Sequence, residues 1–138
     1  MVSPEKKLYA GFTLIELMVV IIIVAVLAAV AIPVYRGKID AAKWSEGRAM
    51  AGTIATAIRA YHSEKGPDGT PPTTLGSGST GLGFSPGDLT GSYFVDADFS
   101  FSVTSVDPLT YTITCTPTTT TLTPVSYQLN QDGNWSNP

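Results

Sequence analysis

Glu16 is the residue whose type and position most clearly indicate chemistry in this sequence of 138 residues. It directly precedes a charge-free run, residues 17–35. An acidic residue costs up to about 2.5–3.5 kcal/mol at the centre of a bilayer and less near its surface, so it normally has a partner. If the chain were cut between Gly11 and Phe12, the new α-amine of Phe12 would lie one helical turn from Glu16. That amine could neutralise the carboxylate, either within one subunit or between neighbours in a filament.

The charge-free run is long enough to span a membrane. As a helix it measures about 28 Å at 1.5 Å per residue, close to the roughly 30 Å of a hydrocarbon core. Lys6 and Lys7 place the preceding segment in the cytoplasm by the positive-inside rule. Two simpler interpretations stay open. One is an uncut signal anchor, and the other is a cleaved secretory signal peptide, for which residues 29–31 (Ala-Val-Ala) supply a cleavage site.

Composition argues against several classes of protein. Charged residues make up 14% of the chain and the net charge is −3, so a nucleic-acid partner is not expected. The lone Cys115 excludes an intramolecular disulfide and a cysteine-based zinc cluster. The lone His62 disfavours a multi-histidine metal site and a Ser-His-Asp triad. Because no catalytic or cofactor motif is present either, we predict a protein that is not an enzyme and needs no cofactor.

The N-terminal residues resemble a known processing signal. Lys6-Lys7-x-x-x-Gly11 followed by Phe-Thr-Leu-Ile-Glu-Leu-Met-Val-Val from Phe12 resembles the class III signal of type IV pilins and type II secretion pseudopilins. The resemblance covers about residues 6–40. It implies that prepilin peptidase cuts between Gly11 and Phe12, that Phe12 is then N-methylated, and that Phe12 and Glu16 act in filament assembly. It also implies a helix break at Pro33.

The same resemblance implies a function. The chain would be a structural subunit of a type IV pilus, a homopolymeric helical filament outside the cell. Its precursor would be a single-pass inner-membrane protein with a cytoplasmic N-terminus, in contact with lipid and the inner-membrane assembly machinery. One alternative is a pseudopilin of type II secretion in a short periplasmic filament, favoured by the absence of the cysteine pair found in many pilins. A non-polymerising, membrane-anchored binding domain is the other alternative.

The rest of the chain divides by pattern into three segments, after a leader at residues 1–11 and the apolar helix at residues 12–35. Residues 36–62 predict an amphipathic helix. Its apolar stripe is Ile39, Ala42, Met50, Ile54, Ala57, Ile58 and Tyr61. Residues 63–92 are rich in Gly, Pro, Ser and Thr, which predicts an irregular surface loop with little burial. Residues 93–138 predict an antiparallel sheet that covers the helix stripe.

Three runs of alternating residues carry the strand prediction. They are residues 99–104, 109–116 and 125–130, followed by an Asp132-Gly133 turn before Trp135. Cys115 falls on the apolar side, so we expect it to be buried. The predicted fold class is α+β, with a long N-terminal helix, membrane-spanning in its first half, packed on a small antiparallel sheet. The pilin resemblance implies the same architecture.

Two further sites are weak candidates for chemistry. Asp96 and Asp98 are oxygen ligands of the kind that calcium takes, and major pseudopilins have a calcium site in this general region. Their spacing matches no calcium motif, so we expect carboxylates solvated in turns and no metal site at these positions. His62 is expected to interact with the helix dipole near the end of the helix.

Overall fold

A computed structural model describes residues 11–138 of the chain. The predicted leader, with Lys6 and Lys7, therefore lies outside the described residues except for Gly11. A single long helix, α1, covers Leu14–Lys65. A 3-10 turn at Asp96–Asp98 leads into four strands. These are β1 (Phe99–Val106), β2 (Leu109–Cys115), β3 (Tyr127–Asn130) and β4 (Trp135–Ser136). The chain divides into two units, the first ending at Gly37 and the second covering Lys38–Pro138.

In the first unit, α1 is apolar and exposed. By length and composition this helix could cross a membrane. The break expected at Pro33 is absent, because α1 continues through this residue. Proline removes one backbone N–H from the helix and disfavours the turn before it. α1 is nevertheless helical on both sides of Pro33, so the helix is uninterrupted, and a kink at this residue stays a prediction.

In the second unit, one face of α1 forms one side of the core. Its buried residues are Trp44, Gly47, Ala51, Ile54, Ala55 and Ile58. The predicted stripe is thus correct at Ile54 and Ile58, whereas Ala42 is exposed. Trp44 lies outside the predicted stripe, yet it is buried to 1% exposure. The apolar face of the helix is therefore centred on Trp44, Ala51 and Ile58, which share a seven-residue period.

The sheet is an antiparallel meander with strand order β1-β2-β3-β4. This confirms the predicted architecture. Cys115 pairs with Phe99 in β1 and with Tyr127 in β3, and it is buried as expected. The turn before β4 has Gly133 at φ 82°, a left-handed conformation that glycine adopts without strain. Val125 was predicted to begin a strand but is 70% exposed, and the strand starts at Tyr127.

The segment at residues 63–92 contributes more burial than its composition suggests. Leu89 is 2% exposed, and Leu75, Leu82 and Phe84 pack against the core. A backbone bridge joins Thr74 and Gly81. The expectation of little burial was wrong because isolated leucines and a phenylalanine can reach a core from an irregular backbone without any periodic spacing.

Candidate functional site

The predicted cleavage position lies just before α1. Gly11, Phe12 and Thr13 precede the helix and are exposed, and Phe12 is 80% exposed. A Cβ placed on Gly11 would have no atom within 4 Å. The Gly11–Phe12 peptide bond is therefore in a non-helical, uncovered stretch of backbone.

Thr13 and Glu16 form the N-terminal cap of α1. The Thr13 hydroxyl oxygen accepts a hydrogen bond from the Glu16 backbone N–H at 3.3 Å, and the hydroxyl donates to Glu16 Oε2 at 3.5 Å. Thr-x-x-Glu before an apolar run is the sequence pattern of a capping box. Glu16 also lies in the first turn, where the helix dipole favours negative charge. Glu16, predicted from the sequence to act in assembly, therefore has a second role in starting the helix, which the Thr-x-x-Glu spacing could have indicated.

The surface that follows Glu16 is apolar and has no partner within the described residues. Every large apolar side chain from Phe12 to Tyr35 is at least 48% exposed. Burial of such side chains is favourable by about 25 cal/mol per Å², so a surface of this size requires lipid or protein around it. A carboxylate at the start of an uncovered apolar helix can bind a cation or an amine, and among residues 11–138 only Thr13 hydrogen-bonds to its side chain.

Asp96 is a structural carboxylate in the second unit. Its oxygens accept hydrogen bonds from the Gly87 N–H at 2.5 Å, the Leu89 N–H at 2.9 Å and the Thr90 hydroxyl at 3.1 Å. The hydrogen bond from Gly87, with those from Leu89 and Thr90, lowers the pKa of Asp96 below its usual value against a smaller opposing effect of burial. Asp96 therefore holds the loop at residues 87–90 in place.

Asp98 is also a structural carboxylate, and it is buried, in contrast to the expectation of a solvated turn residue. It is 3% exposed and accepts hydrogen bonds from the Val95 N–H at 2.9 Å and from the Thr118 N–H and hydroxyl at 2.8 and 2.6 Å. Among residues 11–138 no group of three or more His, Cys, Asp or Glu side chains could hold a metal ion. The geometry gives both Asp96 and Asp98 the role of organising loops.

Two acidic residues on α1 have the same role, which the sequence did not reveal. Glu46 Oε1 accepts hydrogen bonds from the Tyr93 and Phe94 N–H groups at 2.9 and 3.2 Å. Asp40 Oδ2 accepts one from the Thr123 N–H at 3.2 Å. Carboxylates that bind backbone N–H groups make the stronger, charge-assisted class of hydrogen bond. The loops before β1 and before β3 are therefore attached to the helix by polar contacts as well as by apolar packing.

His62 connects the last turns of α1 to the end of β1. Its Nε2 lies 2.7 Å from the Val106 carbonyl oxygen. Because a carbonyl only accepts, Nε2 carries the proton. His62 lies in the last turn of α1, where an interaction with the helix dipole was expected, and this contact adds a specific hydrogen bond between helix and sheet.

Comparisons with known proteins agree with this interpretation of the N-terminal segment. The family described as "Prokaryotic N-terminal methylation motif" matches residues 6–32. The chain is 44% identical over 61 residues to a fimbrial protein, EcpC, of Eikenella corrodens, which is 44% of this chain and 40% of the relative. It is 42% identical over 71 residues to a type IV major fimbrial protein, FimA, of Dichelobacter nodosus, 49% of this chain and 44% of the relative.

A third relative shares more of the chain. The type IV major pilin protein PilE1 of Neisseria gonorrhoeae is 35% identical over 106 residues, 75% of this chain and 60% of the relative. The chain spans about half the length of the curated relatives it matches. A comparison with solved structures found no significant match. These relatives are named as fimbrial and pilin proteins, not as enzymes, in agreement with the sequence prediction.

Three findings now point to one family. The methylation motif includes Gly11, Phe12 and Glu16, the relatives are named as fimbrial or pilin proteins, and the fold combines a long, initially apolar helix with a four-stranded antiparallel sheet. The N-terminal segment of the chain carries the prokaryotic N-terminal methylation motif, and the chain is similar to type IV pilins in sequence and in the combination of helix and sheet.

Proposed function

We propose that this chain is a structural subunit of a type IV pilus, made as a membrane-anchored precursor and polymerised after removal of residues 1–11. The observation that carries the proposal is the uncovered apolar surface of residues 12–35 with the single carboxylate of Glu16 at its start. A lipid bilayer covers the apolar side chains before assembly. A bundle of like helices covers them afterwards, and only the bundle gives the carboxylate a fixed partner.

Processing creates that partner. Prepilin peptidase cuts the Gly11–Phe12 bond and the Phe12 amine is methylated. The exposed, non-helical backbone at Gly11 supports access by the peptidase. The amine of one subunit then pairs with Glu16 of a neighbour. At ~4 Å and an effective dielectric constant of about 20 the attraction is ~4 kcal/mol, which offsets much of the cost of burying both charges.

Two other functions use the same anchor. A pseudopilin of type II secretion forms a short periplasmic filament, and a membrane-anchored binding domain forms none. The pilus is favoured because the relatives are named as fimbrial or major pilin proteins, one of them over 75% of this chain. Surface fibres that contain this subunit, seen by electron microscopy of the producing cells, distinguish the pilus from the pseudopilus.

The decisive experiment separates the charge of Glu16 from its role in the helix cap. Glu16→Gln retains the length of the side chain and an oxygen that can accept from Thr13, but it removes the charge, whereas Glu16→Ala removes both. We expect both variants to insert and to be cut at Gly11, since a more apolar span is favoured by lipid. Both should lose filaments, because an unpaired buried charge costs about 3–5 kcal/mol, more than a hundredfold for each added subunit.

Glu64→Gln is the matched control. Glu64 is an exposed carboxylate near the other end of α1, beside Lys65 at 3.4 Å, and its replacement should leave filaments unchanged. Mass spectrometry of the mature protein checks processing: a chain of residues 12–138 with one added methyl is expected in every variant. A mature chain that begins at Ile32 would instead support a secretory signal peptide. Abundant filaments from Glu16→Gln would contradict the proposed assembly mechanism.

A further inference from the structure

The second unit has two exposed apolar side chains that the proposed function does not use, Tyr93 and Val125. Beyond Tyr35, no other large apolar side chain in the described part of the chain is exposed. The two belong to different loops, since Tyr93 precedes β1 and Val125 precedes β3. A single exposed apolar side chain is ordinary on a protein surface, so the position of these two in the fold decides whether they act together.

The buried Trp44 holds both loops against the same turn of α1. Its ring packs on Phe94, which follows Tyr93, at a centroid distance of 5.3 Å. Its Nε1 donates a hydrogen bond at 3.2 Å to the carbonyl oxygen of Pro124, which precedes Val125. Tyr93 and Val125 are therefore attached to one helix residue from two loops, and both lie at the end of the second unit where its part of α1 begins.

A basic side chain lies beside Tyr93. The Nζ atom of Lys43 is 5.2 Å from the centre of the Tyr93 ring. We call Lys43, Tyr93 and Val125 the basal face. A lysine can keep its aliphatic stem on an apolar surface while its ammonium group reaches a polar layer, and tyrosine is enriched where the apolar and polar layers of a membrane meet. The side chains of the basal face therefore fit the surface of a bilayer.

Charge is distributed unevenly along the chain after the charge-free run. Residues 36–48 contain four of the eight basic residues of the chain but only two of its eleven acidic residues. These two, Asp40 and Glu46, accept hydrogen bonds from backbone N–H groups of the same two loops. Residues 49–138 have the opposite balance, with two basic and seven acidic residues. An anionic surface is therefore attracted to the beginning of the second unit and repelled by the rest of it.

From these observations we propose that the basal face binds anionic lipid headgroups of the bilayer in which the precursor is anchored. The inference rests on the proposed function, because it needs the apolar half of α1 to lie in that bilayer. Lys43 follows Tyr35, the last residue of the charge-free run, by eight residues, or about 12 Å of helix. The headgroup layer on each side of a bilayer is roughly 5–8 Å deep, and the lysine side chain adds several Å of reach.

The bilayer is a better occupant of the basal face than a second copy of the chain. The short connection to the membrane-spanning segment keeps the face near headgroups for as long as the precursor is anchored, whereas a second copy must first arrive by diffusion. A basic residue at an anionic surface strengthens the contact by about fivefold. One lysine with two apolar side chains thus gives a contact that is specific for anionic lipid and still breaks when the subunit leaves the membrane for the filament.

The experiment measures whether lipid covers the basal face of the full chain in nanodiscs. The discs contain phosphatidylcholine alone or equal parts of phosphatidylcholine and phosphatidylglycerol. A fluorophore is attached to Val125→Cys or, as the matched control, to Ser79→Cys, and acrylamide, a neutral quencher, reports exposure to water. Ser79 is exposed and its carbonyl oxygen accepts a hydrogen bond from the Tyr61 hydroxyl near the other end of α1. The native Cys115 is buried, so the unsubstituted chain provides the unlabelled blank.

In discs with phosphatidylglycerol, we expect acrylamide to quench the label on Val125→Cys about fivefold more slowly than the label on Ser79→Cys. Discs of phosphatidylcholine alone should protect it less. Lys43→Gln, added to the Val125→Cys chain, should remove most of the protection. Lys65→Gln removes the same charge from an exposed lysine at the end of α1 and should leave the protection unchanged.

The opposite results overturn the inference and leave the pilus function intact. Equal quenching of the labels on Val125→Cys and Ser79→Cys would show that lipid does not cover the basal face. Protection that responds neither to Lys43→Gln nor to phosphatidylglycerol would exclude anionic headgroups as the ligand. Protection that disappears when each disc holds a single chain would identify a second copy as the occupant. Tyr93→Cys repeats the test if labelled Val125→Cys does not fold, and a full chain that does not enter discs at all would contradict the membrane anchor of the proposed function itself.

Discussion

Gly47 and Phe94 fit together because Gly47 has no side chain. A Cβ at Gly47 would lie 2.8 Å from Cζ and 2.9 Å from Cε1 of the Phe94 ring. The ring is 0% exposed and has little room to move, since it packs against Trp44 at a centroid distance of 5.3 Å and against Phe99 at 6.0 Å. Through this contact the loop before β1 lies directly on the backbone of α1.

Gly47→Ala should therefore destabilise the second unit although alanine is the better helix former. The added methyl overpacks a rigid aromatic cluster at a cost of about 1–3 kcal/mol, which exceeds the gain of up to about 1 kcal/mol in helix propensity. Gly52→Ala is the matched control on the same helix, because a Cβ there meets no atom within 4 Å. Thermal unfolding of the full chain in mild detergent, followed by near-UV circular dichroism, should show a lower midpoint for Gly47→Ala and an equal or higher one for Gly52→Ala. Equal shifts in both variants would contradict the contact.

Regular apolar spacing explains why much of the fold could be predicted from sequence. Alternation predicted β1 and β2 nearly to the residue, whereas the roles of Gly11, Phe12 and Glu16 in processing and assembly stay predictions. The features of the fold that were not predicted depend on contacts between residues far apart in the sequence. Trp44 is buried because its ring meets Phe94 and Tyr127, and no local pattern specifies those partners.

The hydrogen bonds between carboxylates and loop backbone N–H groups were not predicted, for the same reason. The sequence does not distinguish Asp40, Glu46 and Asp98 from carboxylates in contact with solvent. A hydrogen bond from a backbone N–H far away in the sequence produces no characteristic spacing between residue types. The hydrogen bond from Thr123 to Asp40 joins residues 83 positions apart. Thr13 is the exception, because Thr-x-x-Glu was readable from the sequence.

Asp98→Asn should destabilise the fold by about 2–3 kcal/mol. The substitution replaces one carboxylate oxygen with an NH₂ group, which cannot accept a hydrogen bond, so either the Val95 N–H or the Thr118 donors lose their partner. Asp68→Asn, a change at an exposed aspartate, should have an effect within about 0.5 kcal/mol. Thermal unfolding of both variants with and without added calcium is the measurement. A calcium-dependent rise in the wild-type midpoint that Asp98→Asn abolishes would show instead that this carboxylate binds the metal.

Alkaline pH should weaken the fold through Cys115. Burial, with a smaller contribution from the nearby Asp98 carboxylate, raises the pKa of Cys115 to about 12 from an ordinary 9.0. Between these values the unfolded chain has lost the thiol proton while the folded chain retains it, so stability falls as pH rises. Below pH 9 the thiol is protonated in both the folded and the unfolded chain, so Cys115 causes no loss of stability there. At pH 10.5 the loss should reach up to about 2 kcal/mol.

Tyr111 adds to the fall of stability with rising pH, because burial raises the pKa of its phenol against the opposing effect of Arg59. Unfolding midpoints at pH 7.5, 9 and 10.5 measure the slope. Cys115→Ala should lower stability at every pH but flatten the fall between pH 9 and 10.5, and Tyr111→Phe should flatten it further. A slope unchanged in both variants would assign the alkaline sensitivity to other groups.

Residues 38–138 should fold without the apolar part of α1. In the described part of the chain, the buried core begins at Trp44 and ends at Leu129, and Lys38–Pro138 forms a unit of its own. Removing residues 1–37 also removes the exposed apolar surface, so the fragment should be a soluble monomer with cooperative thermal unfolding. A fragment of residues 48–138 lacks Asp40, Trp44 and Glu46, which hold the loops before β1 and β3, and it should not unfold cooperatively. If residues 38–138 were insoluble or lacked a cooperative transition, the apolar half of the helix would be needed to fold the rest of the chain.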